Sequence, residues 1–255
     1  MANDLFDLTG QIALVTGSSQ GIGHALAKGL ADAGAAVILN GRDTEKLGRA
    51  AAELRQEGHT AHEMPFDVTD QNAVTSAIQK IENEIGPIGV LVNNTGMQFR
   101  TPLEDFPADK WHALMRTNVD SVFFVGQSVA RFMIERGEGK IINICSVQSE
   151  LGRTGIAPYT ATKGAIKMLT KGMCTDWAKH GLQINAIGPG YFKTPLNQAL
   201  VDDPNFTEWL ENRTPAGRWG DVEELVGAAV FLSSKASSFV NGHVLYVDGG
   251  ITSSL

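Results

Sequence analysis

The sequence predicts an α/β fold: a doubly wound, seven-stranded parallel sheet with helices on both faces. Seven short β-rich runs recur along the chain with helical segments between them. Their cores are continuously apolar, as in IALV (12–15), VIL (37–39) and VLV (90–92). Strands buried on both faces of a parallel sheet need that pattern. The runs lie at 11–17, 35–41, 60–68, 88–94, 139–146, 182–190 and 243–250. The first three intervening helices, at 24–34, 44–58 and 70–86, each close on a glycine, a common helix stop. No linker-like break divides the 255 residues, so one domain is expected over 1–255. Its longest departure from alternation, residues 191–220, follows a strand's carboxyl end. Such an insertion sits over the ligand crevice of an open α/β sheet and is read as a substrate lid.

Composition narrows the function classes. Hydrophobic residues at 43% and charged residues at 19% describe an ordinary globular domain with ample core. A net charge of −7 without a Lys/Arg cluster argues against nucleic acid as partner, although a local site can oppose the global sign. No run approaches the ~18 apolar residues of a membrane span. MANDLFDLTG has no basic, apolar secretory pattern, and a cytoplasmic location is expected. Cys145 and Cys174 have neither disulfide nor metal spacing, and the histidines are scattered, so no metal is expected.

The first strand runs straight into TGSSQGIG (16–23) and a helix. Glycines at 17, 21 and 23 permit a tight turn and close backbone approach, and a helix N-terminus favours a pyrophosphate. At the end of the second strand, an acid would accept hydrogen bonds from adenosine ribose and repel a 2′-phosphate. Here Asn40, Gly41 and Arg42 stand instead, and a guanidinium fork grips phosphate. NADP(H) is therefore expected over NAD(H). Asp43 is expected either to neutralise Arg42 in part or to cap the next helix.

YTATK (159–163) sets Tyr159 and Lys163 on one helix face at i, i+4, a spacing that means little alone. Ser146 ends the fifth strand 13 residues before Tyr159, and Asn118 precedes it on the previous unit. With TGSSQGIG and NNTG (93–96), this order resembles the short-chain dehydrogenase/reductase family over essentially the whole chain, which implies a Rossmann-type fold. The resemblance implies a tetrad of Asn118, Ser146, Tyr159 and Lys163, with Asn118 holding a water in a proton relay. A phenol with an ordinary pKa of about 10 must be held near 7 to act as a base, which requires roughly 4 kcal/mol of phenolate stabilisation. Lys163 and a nicotinamide cation supply that sign of field. The resemblance places Gly17, Ser19, Gln20, Gly21, Ile22 and Gly23 on the cofactor phosphates, and Asp67 and Val68 beside adenine. It places Asn94 and Gly96 along the ribose, Lys163 on the nicotinamide ribose, and Pro189, Gly190 and Thr194 at the carboxamide. Thr95 stands where the family usually has alanine.

Four further stretches, 143–153, 188–195, 213–221 and 237–250, resemble the family's sugar-acid members. They imply reversible reduction of 5-dehydro-D-gluconate to D-gluconate. Such a substrate needs a cation for its carboxylate and polar partners beside Ser146 and Tyr159. Gln148 and either Arg100 or Arg153 are the candidates, with Lys193 a weaker third. The alternatives are a 3-oxoacyl thioester reductase, another polyol dehydrogenase, or a non-catalytic NADP sensor. The family resemblance also implies a homotetramer.

Overall fold

In a computed structural model, which describes residues 2–255, the seven runs form β1 (Ile12–Val15), β2 (Ala36–Leu39), β3 (Ala61–Glu63), β4 (Ile88–Asn93), β5 (Gly139–Ile144), β6 (Leu182–Pro189) and β7 (Val244–Val247). All six neighbouring pairs are parallel, in the order β3-β2-β1-β4-β5-β6-β7. The order reverses between β1 and β4, so the crevice beyond their carboxyl ends is the ligand position of such a sheet. β3 is shorter than the expected 60–68. It stops at Glu63 because Pro65 has no N–H to continue a ladder.

The helices are α1 (Ala2–Phe6), α2 (Gly21–Asp32), α3 (Thr44–Gln56), α4 (Gln71–Glu84), α5 (Ala108–Met115), α6 (Ser121–Arg136), α7 (Ala157–Trp177), α8 (Gln198–Val201), α9 (Pro204–Arg213) and α10 (Val226–Ser233). Alternation along each strand divides the core in two. Leu14, Ile38 and Leu91 face α4, α6 and α7 through residues such as Ile78, Val125 and Ile166. Ala13, Val37 and Val92 face α2, α3 and α10 through Leu26, Leu47 and Leu232.

Asp43 caps α3 by accepting from Lys46 N at 3.0 Å, and Asp70 caps α4 by accepting from Asn72 N and Ala73 N. The capping alternative for Asp43 is therefore the one realised. Between α5 and α6, residues Arg116–Asp120 form a single π turn in an otherwise continuous helical rod. After β6 the chain leaves the sheet and carries α8 and α9. It returns at Gly220, whose backbone bridges Phe192. Leu210 and Trp219 bury themselves there with Val147 and Ile251, each full burial contributing roughly 1.5–3 kcal/mol.

Candidate active site

The β1–α2 turn forms a cradle that side chains would fill. Gly17 has φ +62°, and a Cβ there would lie 2.9 Å from Thr95 Oγ1. A Cβ on Gly23 would run into Asn94 Nδ2 and the Gly17 carbonyl. Asn94 holds this shape by donating to the carbonyls of Thr16 and Gly17 at 2.9 and 3.1 Å. Gln20, at the start of α2, gives no side-chain cap, and the first turn of the helix has no acid. Its N–H groups are thus left for an anion. Thr95 Oγ1 is buried beside Gly17 without a protein partner. These features fit a dinucleotide pyrophosphate.

The adenosine end is arranged less simply. Arg42 is exposed at the surface, its side chain 79% accessible, with its guanidinium 3.9 Å from the Asp67 carboxylate. Burial would raise the pKa of Asp67, but two hydrogen bonds from Thr69 and the charge of Arg42 outweigh it and hold the carboxyl below its usual range. Val68 turns into the core. Asn40 is also buried, donating both amide hydrogens to the carbonyls of Met64 and Phe66. Its Oδ1 accepts from Gly17 N at 3.4 Å, so the side chain ties the ends of β2 and β3 to the glycine cradle from behind the cleft wall. Ser19 and Arg42 likewise lie outside the cleft walls proper, whereas Gln20, Gly21, Ile22 and Gly23 line them.

Ser146, Tyr159 and Lys163 converge on one cleft of about 510 Å³. Pro158, second residue of α7, has its φ preset for the helix and lacks only an N–H that would be unpaired there anyway; Tyr159 follows in the first turn and Lys163 one turn later. Lys163 Nζ donates to Ile144 O at 2.7 Å and lies 5.7 Å from the centre of the Tyr159 ring. Burial lowers its pKa to about 8. Burial also pushes Tyr159 up to about 12, against a hydrogen bond with Ser146 and the charge of Arg100. The chain's own groups therefore keep the phenol protonated throughout the neutral range rather than near 7. Ser146, in extended backbone, accepts from Gln148 N at 3.2 Å.

Asn118 lies beneath the cleft rather than in its wall. Its Oδ1 accepts from Met97 N at 2.8 Å, and its amide donates to Met97 O at 3.0 Å and Thr162 Oγ1 at 3.1 Å. Thr162 in turn donates to Tyr159 O at 2.7 Å. With both amide hydrogens donated and Oδ1 accepting from Met97 N, Asn118 braces the loop after β4 against α7, and its amide has no hydrogen left to give a relay water.

Farther out, Arg100, Arg153 and Gln148 all reach the same cleft, as do Pro189, Gly190 and Thr194. Thr194 caps the turn Pro195–Asn197. Lys193 points elsewhere, pairing with Asp221 at 3.4 Å. Among the described residues no Asp or Glu lines the cleft. Glu150, in the loop after β5, is engaged elsewhere, accepting from Lys167 and from Tyr246 Oη. Burial and the charge of Arg153 both act against protonated Arg100. The cleft is thus locally cationic in an acidic protein. Sequence reasoning missed Tyr191, Asn197 and Leu200 in its wall, and Thr162 behind it. The first three fall in the proposed lid, where no motif marks single positions.

The family described as Enoyl-(Acyl carrier protein) reductase matches residues 17–252. The chain is 65% identical over 252 residues to "Gluconate 5-dehydrogenase" of Gluconobacter oxydans, covering 99% of this chain and 98% of the relative. It is 56% identical over 249 residues to "5-keto-D-gluconate 5-reductase" of Escherichia coli, covering 98% of each. Among solved structures, a gluconate 5-dehydrogenase from Burkholderia cenocepacia in complex with NADP and tartrate superposes with a TM-score of 0.98 at 59% identity, over 100% of both chains. Fold, cradle, the serine–tyrosine–lysine cleft and these likenesses agree: the chain belongs to the short-chain dehydrogenase/reductase family.

Proposed function

We propose that the protein is an NADP(H)-dependent oxidoreductase that reversibly reduces 5-dehydro-D-gluconate at C5 to D-gluconate. The observation that carries this reading is a cleft uniting Ser146, Tyr159 and Lys163 with two arginines and no acid. A polyhydroxy carboxylate suits such a wall; a long acyl thioester calls for an apolar channel. The names of the two relatives and the NADP and tartrate bound by the Burkholderia enzyme support the same substrate and cofactor class.

The dinucleotide, when bound, would supply or accept the hydride and, in its oxidised form, add positive charge to the cleft. The α2 N-terminus and the glycine cradle hold its pyrophosphate, and Arg42 takes the 2′-phosphate. Ser146 Oγ holds the substrate oxygen, and Tyr159 delivers its proton to that oxygen as the alkoxide develops. A phenol kept protonated by burial suits this reductive step. Lys163, anchored by Ile144 O, would hold the nicotinamide ribose and supplies positive charge beside the phenol. Arg100 and Arg153 bind the carboxylate end. Residues 191–220 act as the lid over this site within a single domain.

The test is a panel of NADPH and NADH against 5-dehydro-D-gluconate, 2-dehydro-D-gluconate and an acetoacetyl thioester. The highest kcat/KM is expected for NADPH with 5-dehydro-D-gluconate; preference for the thioester would overturn the reading. We also read the protein as a cytoplasmic homotetramer. Trp111, Phe123 and Met168 stand exposed on α5, α6 and α7, apolar surface suited to burial between subunits. Among the described residues no helix is long and apolar enough to cross a membrane. Light scattering in solution tests the assembly.

A further inference from the structure

Arg100 and Arg153 reach the cleft from different loops, after β4 and after β5, and each charge opposes the other. Among the described residues neither has a carboxylate within ion-pair distance. Both are nevertheless held, and both from residues 191–220. Arg100 Nη2 donates to Asn197 Oδ1 at 3.3 Å. Asn197 is itself fixed, donating from Nδ2 to Phe192 O at 3.1 Å and from its backbone to Thr194 Oγ1. The guanidinium of Arg153 lies over the Phe206 ring, 5.0 Å from its centre. That ring packs against Tyr191, Trp209 and Trp219, with centroids 5.2–6.0 Å away. Arg153 Nε is buried and has no protein partner.

We propose that Asn197 and Phe206 are positioning residues that aim the two arginines at an anionic substrate while leaving their charge intact. The inference rests on the sugar-acid reading above. Its physical basis is the kind of support chosen. An Asp or Glu at either place would hold a guanidinium firmly and also cancel the charge that a substrate carboxylate requires. An amide oxygen and an aromatic face orient the group and leave its net charge at +1. Segment 191–220 then sets substrate affinity through the arginines, and its effect is confined to substrates that carry a negative charge.

The experiment compares KM for 5-dehydro-D-gluconate with KM for a neutral hexulose, alongside NADPH affinity by fluorescence titration. Phe206→Leu keeps apolar bulk but loses the ring; KM for the acid is expected to rise about 3- to 20-fold, with the neutral ketone and NADPH affinity little changed. Phe206→Tyr restores the acid KM. Asn197→Asp is the sharper case. It strengthens the grip on Arg100 yet is expected to raise the acid KM as strongly, because it neutralises the charge. Equal KM rises for acid and neutral ketone in Phe206→Leu, or an unchanged or lower acid KM in Asn197→Asp, would overturn the proposal. Arg100→Ala and Arg153→Ala separate the two levels. If both leave the acid KM unchanged, the sugar-acid reading itself fails; if they raise it while Phe206→Leu does not, only the positioning role fails.

Discussion

Asn118 and Met97, 21 residues apart, exchange two hydrogen bonds, one accepted from Met97 N and one donated to Met97 O. Both backbone groups of Met97 therefore depend on a single side chain from the π turn. Asn118→Ala leaves the pair unmatched in a partly buried site, at ~1–3 kcal/mol for each group left unsatisfied. A fall in Tm of several degrees is expected, together with a loss of kcat as Thr162 and the backbone of Tyr159 lose their brace. Calorimetry and steady-state kinetics check both; an unchanged Tm would show that water replaces the amide without cost.

Gly23→Ala forces a methyl group into Asn94 Nδ2 and the Gly17 carbonyl. Overpacking of this kind costs ~1–3 kcal/mol. Because the displaced atoms shape the cradle, NADPH affinity should drop at least tenfold by fluorescence titration. Gly227→Ala is the control: it sits exposed in α10 with nothing near its added Cβ, and should be neutral or stabilising by up to ~1 kcal/mol.

Arg42→Ala tests cofactor choice. A charge-assisted hydrogen bond contributes ~1.5–3 kcal/mol, so NADPH affinity should weaken about 10- to 100-fold while NADH changes little. Asp67, 3.9 Å away, is the competing partner for Arg42. Asp67→Asn should therefore raise NADPH affinity modestly. Parallel loss of both cofactors in Arg42→Ala would assign the arginine to structure alone.

Tyr159→Phe removes the proton donor and should lower kcat by ~10²–10⁴, with NADPH binding preserved. Lys163 gives the pH dependence. Its ammonium pKa is lowered to about 8, so reduction should weaken as pH rises through 8, while Tyr159, at about 12, stays protonated. The stability sign is opposite. Between about 8 and the ordinary 10.5 the native lysine binds fewer protons than the unfolded one, so this residue's contribution improves as pH climbs through that window. Chemical denaturation at pH 7.5 and 10 checks this; Lys163→Met should show a smaller rise than the parent, with the remainder carried by Lys140, whose pKa burial also lowers to about 8.

The strands were readable because both faces of the sheet are buried, which leaves unbroken apolar runs such as IALV and VLV. β3 was over-long because hydropathy continues through Met64 and Phe66, whose side chains still enter the core after the ladder has ended. Tyr159 and Lys163 were readable from one helical turn, a local relation. The partners of Asn118 and Asn40 were not: each amide satisfies backbone groups brought near only by the assembled tertiary fold. The arginines could be listed but not supported, since Asn197 and Phe206 gain meaning only when residues 191–220 fold back over them.

The π turn at Arg116–Asp120 carries one residue more per turn than the helix around it, with Ser121 N bonded to Arg116 O. Deleting a single residue there would let α5 and α6 fuse into one regular helix, with better backbone hydrogen bonding. It would also rotate one segment by about 100° relative to the other, swinging Asn118 away from Met97. The shorter chain would gain helix and lose the site, so this one surplus residue marks a position where folding and activity pull in opposite directions.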